Sequence, residues 1–253
     1  NVNLPELPYA VSEAMNRLRI NIKFCGKNTR KILLTSCQPN EGKSTISSYL
    51  WKMLAEAGFP TVLVDVDLRK SVMKTRFQMD YDDDTTMGLN HYLSGMAEYE
   101  DVVYSTNIPN GYMVPCTQLL ENPSALLEDV RFKELLNTLS ENYRFVIIDS
   151  PPLGSVADGA LIASLCDGAV LVVRAGTTPR TLIKQSLYEI QQSGCKLLGT
   201  VLNRADVKGR AYGKYGYGKY GYGYGYGYGY GYEPKDKKNS SDSAAADKNS
   251  TGK

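Results

Sequence analysis

Five short runs of this chain are apolar at nearly every position: "KILLTS" at 31–36, "TVLVDVD" at 61–67, "FVIID" at 145–149, "AVLVVRA" at 169–175 and "LLGTVLN" at 197–203. A strand with one face in water alternates apolar and polar residues. Runs without that alternation belong to strands covered on both faces, the usual condition of parallel sheets. Parallel strands need long, commonly helical crossovers. Helix-length stretches lie at 44–57, 124–141, 157–164 and 181–192, with Gly58 and Gly194 following the first and last. The repeat of strand then helix predicts an α/β fold: a doubly wound, mostly parallel sheet flanked by helices, with ligands at the carboxyl ends of its strands. The region 73–115, with its acidic "DYDDDTT", reads as a short helix and an inserted strand among loops. Upstream, "SEAMNRLRINIKF" at 12–24 places Met15, Leu18 and Ile22 on one helical face.

Directly after the first run comes "SCQPNEGKST", residues 36–45. A glycine-containing turn that enters a helix through Lys-Ser is a phosphate loop, although Cys37 stands where the full pattern has its first glycine. Backbone N–H groups of Pro39's successors Asn40, Glu41 and Gly42 would surround a β-phosphate. Lys43, read as a loop residue, would reach the β and γ oxygens, the Ser44 hydroxyl would ligate Mg²⁺, and Thr45 would continue the turn into the helix. The expected ligands are therefore ATP and Mg²⁺. Asn40 occupies a tight-turn position, and asparagine tolerates positive φ better than other non-glycine residues.

The second run ends in "VLVDVDLRK", which sets Asp65 and Asp67 two apart on one side of the expected strand, with Arg69 beyond. Adjacent carboxylates repel unless a cation lies between them, and a magnesium nucleotide supplies one. Asp149 closes the third run, where a phosphate-loop enzyme places a carboxylate near the metal. Other readings stay open: Asp67 paired with Arg69 or Lys70, Asp149 as a turn former, and Asn203 as either a base contact or a turn residue.

The end of the chain is of another kind. "AYGKYGYGKYGYGYGYGYGYGYEP" at 211–234 holds ten of the nineteen tyrosines, and "KDKKNSSDSAAADKNSTGK" follows it. Alternating glycine resists ordering, and the closing segment lacks core formers, so 1–208 is expected as the folded domain and 209–253 as a disordered Tyr/Gly tail. An edge strand or self-associating ladder is the alternative for the repeat. From residue 208 onward the charge is +5, while the preceding body carries −3. That mildly acidic body argues against a nucleic-acid partner. Five dispersed cysteines give no zinc-like pair or disulfide framework, which suits a reducing compartment. No run has the length of a spanning helix, so action at a membrane would need another chain.

Taken together, residues 9–232 resemble the bacterial tyrosine kinases of capsule and exopolysaccharide synthesis. Their loop S-x-x-P-G-E-G-K-S-T matches except at Asn40, D-x-D-x-R matches at Asp65, Asp67 and Arg69, and D-x-P-P matches at Asp149, Pro151 and Pro152. Related partition ATPases carry a signature lysine where this chain has Gln38. The family's E-x-x-R-x-x-R ring contact is met by Glu13 and Arg19, with Asn16 at the middle position, and N-P-x-E-L-L appears as "NPSALL", with Ala125 lacking the carboxylate.

The resemblance implies an ATP-dependent protein-tyrosine kinase that controls polysaccharide synthesis and export. Lys43, Asp65, Asp67 and Asp149 would carry catalysis, and Ser44, Asp65 and Asp149 the metal. The acceptors would be Tyr212, Tyr215, Tyr217, Tyr220, Tyr222, Tyr224, Tyr226, Tyr228, Tyr230 and Tyr232, modified between the subunits of a homo-oligomer, possible in ring form through Glu13 and Arg19. Further implied partners are a transmembrane adaptor of the chain-length-regulator type, a phosphotyrosine phosphatase and cytoplasmic substrates, with the kinase cytoplasmic and recruited to the inner face of the membrane. Ten phosphates would take the tail from +5 to about −10 to −15, and an acidic site would then repel it. The competing readings are a positioning ATPase without kinase activity and a self-associating structural protein.

Overall fold

The apolar runs divide their residues between two cores. Ile32 and Leu34 face one and Leu33 the other; Phe145 and Ile147 join the first, Val146 and Ile148 the second. Absence of alternation in 31–36 and 145–149 is thus burial on both sides, whereas the last run, 197–203, is a correction: it forms an edge strand whose Leu197 and Leu202 are exposed. The computed structural model describes residues 1–205 apart from 80, 83–84 and 155–157. The tyrosine acceptors, the closing segment and the boundary expected at 208/209 lie outside the described residues.

Among the described residues, β1 (Lys31–Ser36), β2 (Thr61–Asp65), β4 (Gly111–Val114), β5 (Phe145–Asp149), β6 (Gly168–Arg174) and β7 (Leu197–Asn203) are parallel. A two-residue edge strand, β3 (Tyr104–Ser105), runs antiparallel to β4, and the order is β3-β4-β2-β5-β1-β6-β7. Helices α1 (Tyr9–Lys23) and α2 (Lys43–Glu56) supply Met15, Ile22, Leu50, Trp51 and Leu54 to the first core. Helices α7 (Val130–Asn142), α8 (Asp158–Ser164) and α9 (Arg180–Gln192) supply Phe132, Leu136, Ile162 and Ile190 to the second. Each such fully buried side chain contributes about 1.5–3 kcal/mol.

Three boundaries differ from the sequence reading. The run 61–67 leaves the sheet after Asp65: Val66 N–H still bonds to β5 at the Asp149 carbonyl, but Leu68 N–H turns back to Val66, so Asp67 lies in a loop. The stretch 124–141 is two helices, α6 (Ser124–Glu128) and α7, separated at Asp129, whose extended backbone (ψ 148) and carboxylate, accepting from Arg131 N–H, begin a new N-terminus. Region 73–115 holds α3 (Met73–Arg76), α4 (Leu89–Leu93) and α5 (Tyr99–Val102) with β3 and β4, two more helices and one more strand than expected.

With β5 inserted between β1 and β2, the carboxyl ends of these three strands lie side by side. That topology gathers the phosphate loop, Asp65 to Asp67 and Asp149 into one place.

Candidate active site

The loop between β1 and α2 is shaped by local backbone and closed by distant side chains. Asn40 has φ 65, the left-handed conformation its residue type tolerates, and Gly42 has φ 96. A Cβ on Gly42 would also meet Asn203 Nδ2 at 2.1 Å. That amide nitrogen donates to the Glu41 carbonyl at 2.8 Å, and Asn203 Oδ1 accepts from Arg204 N–H at 2.9 Å. Asn203 therefore braces the loop, with both ends of its amide engaged. The buried Glu41 carboxylate curls inside the loop, where it accepts from Cys37 N–H at 2.7 Å and Gln38 N–H at 3.0 Å, and from the Thr178 hydroxyl.

Lys43 is a correction to the loop reading. It is the first residue of α2 and only 7% exposed, because its ammonium joins carboxylates that are themselves buried. Its Nζ donates to Asp149 Oδ2 at 3.0 Å and to Ser44 Oγ at 3.1 Å, and lies 3.6 Å from the Asp67 carboxylate. Burial opposes its charge, but Asp149 and then Asp67 outweigh it and hold the pKa above that of an ordinary lysine. Asp149 also accepts from Ser47 Oγ at 2.8 Å.

Asp65 stands directly across from Asp149 in the register of β2 and β5. Burial, with the like charge of Asp149 added, pushes its pKa up to about 8 against the opposing Ser71 hydroxyl bond and Lys43 charge. The pairing of Asp67 with Arg69 is not seen. Arg69 Nε instead donates to the buried Asp158 carboxylate at 2.8 Å, and its guanidinium reaches the Glu121 carbonyl and Ser124 Oγ, so that it ties the Asp67 loop to α6 and α8.

A cavity of about 410 Å³ opens over the loop, lined by Asn40, Gly42, Lys43, Ser44 and Asp67, with Pro39 and Pro151 beside them. Asp65 and Asp149 do not line it. Expectation of an acidic mouth is corrected accordingly: two carboxylates, Glu41 and Asp67, line the cavity together with four cations, Lys43, Arg69, Lys70 and Arg76. Thr45 Oγ1 accepts from Arg76 at 3.3 Å. Far from this cavity in sequence, Glu13 is exposed on α1, and Arg19 Nε donates to Asn16 Oδ1 at 3.1 Å, so Asn16 steadies the arginine beside it.

Among the described residues no three acidic, histidine or cysteine side chains converge as a metal cage. Magnesium bound with a nucleotide needs none, since phosphate oxygens and water complete its shell. The hard oxygens of Ser44 and Asp67 at the cavity, with Asp149 behind Lys43, fit that requirement.

Ser47, Ser71, Thr178, Asp158 and Arg76 also belong to the site, none of them marked by a motif in the sequence. Ser71 and Arg76 follow the D-x-D-x-R segment closely, but nothing in residue type alone set them at the site.

Comparison with known proteins agrees with this geometry. The AAA domain family matches residues 29–191. The tyrosine-protein kinase CpsD of Streptococcus agalactiae is 42% identical over 208 residues, covering 82% of this chain and 90% of that protein. Among solved structures, the chimerical protein CapA2B2 superposes with a TM-score of 0.72 at 35% identity, over 79% of this chain and 87% of the other. The septum site-determining protein MinD of Pyrococcus horikoshii, solved with Mg-ADP, gives a TM-score of 0.58 at 25% identity, over 68% and 69% of the two chains.

Proposed function

We infer that this chain, which belongs to the family of bacterial tyrosine-protein kinases, transfers the γ-phosphoryl group of ATP to tyrosine hydroxyls and acts in the control of capsular or exopolysaccharide synthesis. The observation that carries the reading is Lys43, held by Asp149 and Asp67 at the start of α2 and facing the cavity above the loop.

In the transfer, the acceptor oxygen bonds to the γ-phosphorus as the bond to the β–γ bridging oxygen breaks, and ADP leaves. Loop amides and the Lys43 ammonium stabilise charge on the moving phosphoryl group and the leaving oxygen. Asp67, the candidate carboxylate that lines the cavity, takes the phenolic proton. Asp65 is buried behind it and held by Ser71, and acts by supporting Asp149 and the Asp67 loop. Ser44, Asp67 and Asp149 are the groups that would hold magnesium, which supplies neutralisation of the β and γ phosphates when bound.

The acceptors in this reading are the ten tyrosines from Tyr212 to Tyr232 on neighbouring copies. Glycine spacing presents them without bulk, and their number raises the local concentration of hydroxyl. Glu13 and Arg19 form the contact between copies. A transmembrane adaptor recruits the chain to the inner face of the membrane from the cytoplasm, and a phosphatase reverses the modification. No described helix is long and apolar enough to cross a membrane.

The test is incubation of the full chain with labelled ATP and Mg²⁺, followed by mapping of the label. Phosphotyrosine within 212–232 is expected. Phosphate released to water with no tyrosine labelled would favour the positioning ATPase instead.

A further inference from the structure

Beyond Lys43, which serves the transfer, and Arg69, which is paired with Asp158, the cavity has two further cations. Lys70 follows the Asp67 loop and Arg76 ends α3; both are exposed, and both line the cavity that holds Lys43. Neither belongs to an ion pair among the described residues, where the pairs join Lys43 to Asp67 and Asp149, Lys52 to Glu56, and Arg69 to Asp158. The two carboxylates of the cavity are engaged elsewhere. Asp67 faces Lys43, and Glu41 is enclosed by the Cys37 and Gln38 amides and Thr178. Arg76 is steadied by one hydrogen bond to Thr45, which leaves most of its N–H fork available to an anion.

A nucleotide on the loop is served by Lys43, the loop amides and the N-terminus of α2. Lys70 and Arg76 remain as a second cationic wall. Val72, between them in sequence, lines the same cavity and is 41% exposed, so apolar surface accompanies the cations. Dianion-binding cations beside an apolar surface suit an aromatic phosphate better than a free one. The kinase reaction makes that chemistry itself.

We propose that Lys70, Arg76 and Val72 form a subsite for a phosphotyrosine already installed on the acceptor segment, which retains a modified chain while its next tyrosine is presented to Lys43 and Asp67. The proposal rests on the kinase reading of this cavity and adds to it a preference for partly modified acceptors. In the repeat, neighbouring tyrosines such as Tyr222 and Tyr224 are two residues apart, about 7 Å in an extended chain, so a held phosphate keeps the next hydroxyl close.

The experiment is an equilibrium titration of the full chain, loaded with ADP, against a fluorescent Tyr-Gly-Tyr-Gly-Tyr peptide with and without one phosphotyrosine. The modified peptide should bind about tenfold more tightly, as charge-assisted contacts imply. In Lys70→Ala/Arg76→Ala that ratio should fall to about one, and Lys70→Glu should carry it below one. The side chains are exposed, and melting curves check that the variants fold. Equal binding of the two peptides by the unaltered chain would overturn the subsite. So would variants that weaken ADP and both peptides in the same proportion, since the cations would then serve the nucleotide. Inorganic phosphate should compete less well than free phosphotyrosine; equal competition would reduce the site to a general anion site and overturn the tyrosyl assignment. Because the titration requires no transfer, a chain that prefers the modified peptide yet labels no tyrosine would sink the kinase reading and leave the subsite standing.

Discussion

Lys43 holds together charges that burial would otherwise expel. With Asp67 and Asp149 buried around one ammonium, removal of that cation leaves carboxylates without compensation. Lys43→Met is therefore expected to abolish tyrosine labelling and also to destabilise the fold at neutral pH by roughly 3–5 kcal/mol. The loss should shrink in acid, where the carboxylates take up protons. Urea unfolding at two pH values checks this, and unchanged stability at neutral pH would contradict the buried network. Asp65 gives a second test. Its pKa is about 8 in the fold against an ordinary 3.8, so between these values the folded state keeps a proton that the unfolded chain has released. Stability contributed by that proton is fully present below about pH 4 and is lost as pH rises through 8. Relative to Asp65→Asn, the unaltered chain should lose stability steadily across this window, and parallel stability curves would refute the assignment.

At the scale of the element, the phosphate loop is held by distant side chains, Asn203 and Thr178, as well as by its own backbone. Gly42 needs both its positive φ and the space filled by the Asn203 amide. Gly42→Ala should weaken ATP binding by at least about tenfold, since a displaced loop amide costs on the order of a hydrogen bond or more. Adding Asn203→Ala removes the clash but not the backbone strain, so the double variant should lose less than the two single losses combined, as titration calorimetry can show. Strictly additive losses would mean that the two residues do not press on one another. What was readable in the sequence follows the same division between local and distant causes. Burial on both faces is written into "FVIID" and "AVLVVRA", and the turn at Asn40 depends on its own φ. The start of α7 was missed although Asp129 is a sound capping residue, because the apolar pattern continues across it. The short helices of 73–115 carry too few residues for periodicity to speak. Ser47 meets Asp149 across 102 residues, Arg69 meets Asp158 across 89, and Glu41 meets Thr178 across 137, so only the folded topology brings those partners together.

For the whole molecule, the proposed function couples a folded transferase with a tyrosine run of unusual regularity. Replacing the ten tyrosines from Tyr212 to Tyr232 with Phe should remove most self-labelling while leaving transfer to a separate Tyr-Gly peptide; label persisting on the body at its original level would show that the acceptors lie elsewhere. Reach alone does not require a second copy, because the entropy of closing a flexible loop grows only slowly with its length. The proposal of transfer between copies takes Glu13, exposed on α1, and Arg19 of the same helix as its contact residues. The most direct measurement mixes full-length Lys43→Met, which keeps its tyrosines but cannot transfer phosphate, with active protein lacking residues 209–253, which can transfer but carries no acceptor run. With labelled ATP and Mg²⁺, phosphotyrosine should appear on the inactive full-length chain, between 212 and 232. No label on that chain, with the shortened enzyme shown active on peptide and the two shown to associate, would contradict the account.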